Sequence, residues 1–227
     1  MTGPLVEPDS VPEWLRPLVE TSGQVDTATF TRFTPPEGTY TRPAAVLILF
    51  GEGPGGPDVL LLRRADTLGS HAGQVAFPGG GADETDDGPI GTALREAEEE
   101  TGVDPAGVRP VAVLPELWVP VSRFAVTPVL AHWHRPSPVH AVDPAETAAV
   151  ARVAVRDLAD PANRFTIKRA GTGYRGPAFA VDGMFIWGFT AGLLSVLLSL
   201  GGWEREWDRG DVRDLDVALR DHEWETR

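Results

Sequence analysis

An α/β fold is expected from three features of the 227-residue chain. Two apolar runs, Ala44 to Phe50 and Asp58 to Arg64, flank a Gly- and Pro-rich turn at 51–58 and read as a buried hairpin. A helix is expected from Ile90 to Thr101, because Pro89 suits a helix start and Gly102 a helix end. Strand-like runs then follow at Arg109 to Leu114, Arg123 to Trp133 and Ala149 to Val155. Strands and helices therefore interleave along one chain, which is the pattern of the α/β class.

The remaining segments are weaker signals. Residues 1–42 are rich in Pro, Thr and Glu and read as an N-terminal extension, with a short helix at Val11 to Val19 broken at Pro17. A single domain is expected over 43–203. Within it, Gly79-Gly80-Gly81 forms a backbone hinge, and Val155 to Ala159 a turn or short helix before Asp160-Pro161. Phe179 to Val181 reads as a last short strand. Met184 to Leu200 is an apolar stretch at the short limit for a membrane span, about 17 residues. It has no Lys or Arg cluster at either end, so it reads as a buried helix. The charged tail, 204–227, is expected to pack as an amphipathic helix or to fray.

Composition removes several functions. Twenty basic against thirty-three acidic side chains leave a net charge of −13. A sequence-independent nucleic-acid binder needs the opposite balance. With no cysteine, disulfides, thiolate metal sites and Cys nucleophiles are excluded. Any metal must then be held by carboxylates, His or carbonyls, which favours hard ions such as Mg²⁺ or Mn²⁺. The N-terminus carries no basic, apolar leader pattern, so the expected location is cytoplasmic, with no membrane partner.

The chemistry concentrates in Arg95-Glu96-Ala97-Glu98-Glu99-Glu100-Thr101-Gly102-Val103. On a helix, Glu96, Glu99 and Glu100 share a face, Arg95 lies one turn before Glu99, and Ala93, Leu94 and Ala97 can face the core. Like charges on one face repel, and a divalent cation converts that repulsion into a binding site. A solvated acidic face is the competing interpretation. The triple-Gly loop before the helix and the Gly directly after the acidic run favour a site.

Gly81, Asp87 and the run from Arg95 to Val103, at these spacings, resemble the Nudix box of the diphosphate hydrolases. Asp87 stands where that family usually has Glu. The resemblance implies a Nudix-type α/β/α sandwich with a mixed central sheet and a carboxylate-bearing catalytic helix. It implies Mg²⁺ or Mn²⁺ held by Glu96, Glu99 and Glu100, with a carbonyl near Gly80 as a further ligand. Arg95 would orient a carboxylate, and the shorter Asp87 would lose its supporting contact or make it through water. Such ions neutralise a diphosphate and activate a bound water. Glu100 and Glu146 are the candidates to take the water's proton, with Glu116 a third.

Leu60 to Gly80 is similar to the segment that precedes the box in the coenzyme A pyrophosphatase branch. The matching pieces are Arg64-Ala65, Leu68, His71-x-Gly73-Gln74 and Phe77-Pro78-Gly79-Gly80. Asp83-x-x-Asp86, Asp160 to Asn163 and Ile186 to Ala191 also resemble that branch. It implies coenzyme A or its thioesters as substrate, with Arg63, Arg64, His71, Gln74, Phe77 and Gly79 lining the substrate site. Gly69 departs from it, standing where the branch usually carries Arg. ADP-ribose, a dinucleotide or a nucleoside triphosphate is the alternative substrate, and a silent nucleotide-binding domain the alternative class. Phe77-Pro78 is expected to fix the loop more than to stack on a base. His132 and His134 share a strand face, as a partial metal site or as structural residues. Trp118 and Trp187 read as core or homodimer contacts.

Overall fold

The computed structural model describes residues 2–69 and 71–221. The first forty residues supply a two-residue strand, β1 (Gly3–Pro4), and two helices, α1 (Arg16–Ser22) and α2 (Thr27–Phe30). Pro17 does not break the N-terminal helix. It sits in the first turn of α1, where its missing N–H has no intrahelical partner to lose.

The expected hairpin is longer than its apolar runs. Strands β2 (Arg42–Gly53) and β3 (Gly56–Arg64) pair up to Gly53↔Gly56, leaving Pro54-Gly55 as the loop. Two short strands follow, β4 (Val75–Ala76) and β5 (Gly79–Gly81), then α3 (Gly88–Thr101). Pro89 lies in its first turn. Gly102 ends it in the left-handed region at φ +67°, with its N–H donating to the Glu98 carbonyl. Next come β6 (Val108–Val113), β7 (Leu117–Val119), β8 (Phe124–Trp133), β9 (Thr147–Ala154) and α4 (Val155–Leu158).

These strands form one sheet in the order β1-β6-β8-β2-β3-β4, with β5 on β2, β7 on β8 and β9 on β3. Strands β2 and β8 run parallel from Arg42↔Phe124 to Phe50↔His132, and the other pairs are antiparallel, so the sheet is mixed. Alternation along β2 assigns its two faces. Ala45, Leu47 and Leu49 pack with Ala93 and Ala97 of α3. Ile48 and Phe50 join Leu15, Leu18 and Val19 on the opposite face. Helices therefore cover both faces, as an α/β/α sandwich requires.

A second sheet holds β10 (Arg164–Arg169), β11 (Tyr174–Val181), β12 (Met184–Ile186) and, after helix α5 (Gly188–Leu200), β13 (Val212–Asp214), which runs parallel to β10. The stretch from Met184 to Leu200 is thus split between a strand and a helix. Leu193, Leu194, Leu197 and Leu198 of α5 enter the same core as Ile48 and Phe50. Among the described residues no helix is long and apolar enough to cross a membrane. The tail contributes α6 (Leu215–Asp221), and the end of the 204–227 segment lies outside the described residues.

Candidate active site

Helix α3 approaches the sheet closely because its buried residues are small: Thr92, Ala93, Ala97 and Thr101. That approach brings its carboxylates against the Gly79–Gly81 strand. The glycines are needed there. A Cβ on Gly79 would collide with the Ala45 carbonyl, and one on Gly80 would lie 2.5 Å from the Glu96 carboxyl. Glu100 Oε2 accepts from the Gly79 N–H at 2.9 Å. Its other oxygen lies 3.8 Å from Arg64 Nη1, and the side chain is 10% exposed.

Charge in this corner is held at a cost. Burial pushes the Glu100 carboxyl up to about 7, and the negative charges of Glu96 and Glu146 push the same way; the Gly79 N–H and Arg64 oppose them. Glu96 is likewise raised by burial, against the pull of Arg95.

Arg95 is the hub. Its Nη1 donates to Glu96 Oε1 at 2.9 Å and to Glu99 Oε2 at 3.0 Å, while Nη2 donates to the Gly81 carbonyl at 3.0 Å. The rest of the guanidinium forms a two-point pair with Asp86, at 2.8 and 3.0 Å. Asp86 also accepts from the Thr92 hydroxyl and the Asp83 N–H, both at 2.8 Å. Its side chain is 5% exposed, and the Arg95 guanidinium holds its carboxyl well below the usual carboxylate range.

Asp86 is therefore the acid that steadies Arg95. Asp87, singled out by box spacing, is exposed and makes no side-chain capping bond to α3. Box spacing selects Asp87 alone, and the Asp83-x-x-Asp86 pattern is the sequence feature that marks its neighbour.

The other sequence-derived positions are scattered around this corner and beyond it. Glu146 is exposed, its backbone carbonyl accepts from the Ala65 N–H at 2.9 Å, and its charge is felt at Glu100. Gln74 closes the loop. Its carbonyl accepts from the Arg64 N–H at 2.9 Å and its side-chain Oε1 lies 2.8 Å from His71 Nδ1, with His71 in the left-handed region. Arg63 pairs with Asp66 at 2.6 Å. Phe77 is 3% exposed in the core that receives α1 and α5, a packing role with no free ring face. Glu116 is exposed before β7, where its carbonyl accepts from Thr27. His132 lies edge-on to Trp14 and 6.0 Å from it between ring centroids. Among the described residues no three His, Asp or Glu side chains converge closely enough, as they stand, to hold an ion.

The NUDIX domain model matches residues 40–170. An uncharacterized Nudix hydrolase NudL from Cronobacter sakazakii is 41% identical over 158 residues, which are 69% of this chain and 81% of that protein. The Escherichia coli K12 protein of the same name is 38% identical over spans of the same size. Among solved structures, a Nudix hydrolase from M. smegmatis, RenU, aligns with a TM-score of 0.51 at 20% identity, covering 75% of this chain and 92% of that one. That likeness speaks to the fold.

Proposed function

This chain belongs to the NUDIX family, and from that premise we propose that it hydrolyses the diphosphate of coenzyme A or its thioesters, giving 3′,5′-ADP and a 4′-phosphopantetheine product. The carrying observation is the half-buried carboxylate pair, Glu96 and Glu100, drawn against the Gly79-Gly80 backbone and both made costly to ionise by desolvation.

A hard divalent cation fits that donor set, because carboxylate oxygens are its preferred ligands and its charge offsets theirs. Glu96, Glu99, Glu100 and a carbonyl near Gly80 would hold Mg²⁺ or Mn²⁺. When bound, such an ion supplies charge neutralisation to the diphosphate and acidity to a water. Arg95 positions the carboxylates rather than touching substrate, with Asp86 keeping it in register. In the reaction a water oxygen bonds to one phosphorus, the bridging P–O bond breaks, and the water's proton passes to a carboxylate. Glu146 suits that last role. It is exposed, it is near enough to influence Glu100, and it has no ion pair among the described residues. Arg64, beside Glu100, suits the substrate's diphosphate, while His71 and Gln74 shape the loop that follows.

The coenzyme A part of the reading rests on the Arg64–Gly80 segment, whose Arg64 and Gly79 both meet Glu100. The test is incubation with Mg²⁺ or Mn²⁺ and a panel of coenzyme A, acetyl-coenzyme A, ADP-ribose, a dinucleotide and a nucleoside triphosphate, with products identified by mass spectrometry. Formation of 3′,5′-ADP from coenzyme A is expected. Turnover of ADP-ribose beside an untouched coenzyme A would remove that substrate and leave the diphosphatase standing.

A further inference from the structure

The start of β2 adjoins the catalytic loop. Ala44 pairs with Gly81, and the Pro43 carbonyl accepts from the Ala82 N–H at 3.0 Å. One strand over, the Phe124 ring lies 3.9 Å from where a Cβ on Gly81 would sit. The Arg42 guanidinium rests on that same ring, 4.1 Å from its centroid. Beyond it an open cleft is lined by Arg42, Arg123, Trp118 and Tyr40.

Several features of this cleft have no structural beneficiary. Arg42 and Arg123 are both exposed, and among the described residues neither guanidinium has a hydrogen bond or an acidic partner. That is unusual in a chain with thirteen more acids than bases. Arg123 is held at φ +58°, a backbone region that side chains other than Gly seldom adopt. It is fixed there by its N–H bond to Val119 at 2.9 Å and by the bond from the Arg42 N–H to its own carbonyl at 3.1 Å. The turn therefore brings the two backbones together, and both residues line the cleft. The Trp118 indole N–H is buried and has no acceptor among the described residues. Tyr40 is 79% exposed, a large aromatic presented to the solvent.

The geometry points to a subsite for a nucleoside whose ribose carries a phosphate monoester in addition to the diphosphate. Trp118 and Tyr40 offer faces to the base, and Arg42 and Arg123 the paired charge for the phosphate. This inference rests on the coenzyme A reading, since that substrate has such a 3′-phosphate. It also answers the gap at position 69. A side chain at Gly69 would meet nothing within 4 Å, yet none is there. The arginines across the catalytic loop supply the cation that Gly69 does not.

The test uses the full chain without metal and reads binding by calorimetry, with 3′,5′-ADP and 5′-AMP as probes. Wild type is expected to hold 3′,5′-ADP about tenfold more tightly or better, the size of a charge-assisted contact. The Arg42→Gln/Arg123→Gln protein should lose that preference, and the corresponding double Lys variant should recover part of it. Trp118→Leu should weaken both nucleotides alike. With metal, the double Gln variant should raise KM for coenzyme A, leave KM for dephospho-coenzyme A in place and keep kcat. No preference in wild type, or a preference that survives the double Gln change, would overturn the subsite. Wild type that prefers 3′,5′-ADP yet fails to hydrolyse coenzyme A would reject the substrate reading while leaving the subsite intact.

Discussion

Helices α3 and α5 are nearly the same length and cover opposite faces of one sheet, yet they are built to opposite ends. Helix α5 buries Leu193, Leu194, Leu197 and Leu198, so its contribution is apolar area. Helix α3 fully buries only two alanines and two threonines, packs Ile90 and Leu94 at the core's edge, and turns Glu96 and Glu100 into a corner where acids repel. Small residues let α3 sit close enough for Glu96 and Glu100 to touch the glycine strand, at the expense of burial that leucines would have provided. Apolar burial is thus concentrated on the α5 helix, and electrostatic strain on α3, where the proposed chemistry would take place.

The largest effect that sharpens this contrast is on turnover. Glu100→Gln and Glu99→Gln should each lower kcat on the order of a thousandfold, the scale of losing a catalytic carboxylate, with the fold retained by circular dichroism. Near-normal rates at saturating metal would take both residues out of the site. On the other face, Leu197→Ala should cost about 2–5 kcal/mol of unfolding free energy in urea, as for other buried leucines, while kcat per folded molecule stays level. A large fall in kcat would mean the two faces are not separable.

A smaller effect is carried by pH. In the unfolded chain Glu100 titrates near 4.5, and in the folded protein near 7. The native state therefore holds the proton more tightly, and this group's stabilisation is full below about 4.5 and is lost as pH rises to about 7. Glu96 acts in the same direction. In chelator, the melting temperature should fall across that window, and Glu100→Gln should flatten the fall. A slope unchanged by the substitution would place its origin elsewhere. The smallest effect is at position 87. Because Asp86 steadies Arg95, Asp87→Glu should change turnover by less than about threefold, well under the roughly tenfold or more seen for groups that orient a ligand. A larger gain would restore position 87 to the supporting role.

The sequence was most readable where local chemistry and fold agree. Pro89 and Gly102 bracket α3, and two apolar runs on either side of a Gly- and Pro-rich turn mark the hairpin, because capping and turn chemistry are properties of neighbouring residues. The grouping of Arg95, Glu96, Glu99 and Glu100 was legible for the same reason, as one helical turn. What escaped was set by distant pairing. Strand β10 carries only two apolar residues, Phe165 and Ile167, alternating with Arg164, Thr166 and Lys168, a period-2 signal too short to stand out beside the longer apolar runs. Met184–Ile186 cannot be told from the helix that follows it by hydropathy alone. Arg42, Trp118 and Arg123 meet through the β2–β8 and β7–β8 pairings, which no local pattern encodes.

The central claim is that the α3 face keeps its acids together for a cation. Thermal melts of wild type and Glu96→Gln, each titrated with Mg²⁺ or Mn²⁺ from a chelated start, test it most directly. A ligand bound by the folded form alone raises stability by mass action. The metal-free variant should melt higher than metal-free wild type, metal should raise the wild-type melting temperature, and this rise should shrink in the variant. Equal rises in the two proteins would place the ion elsewhere and contradict it.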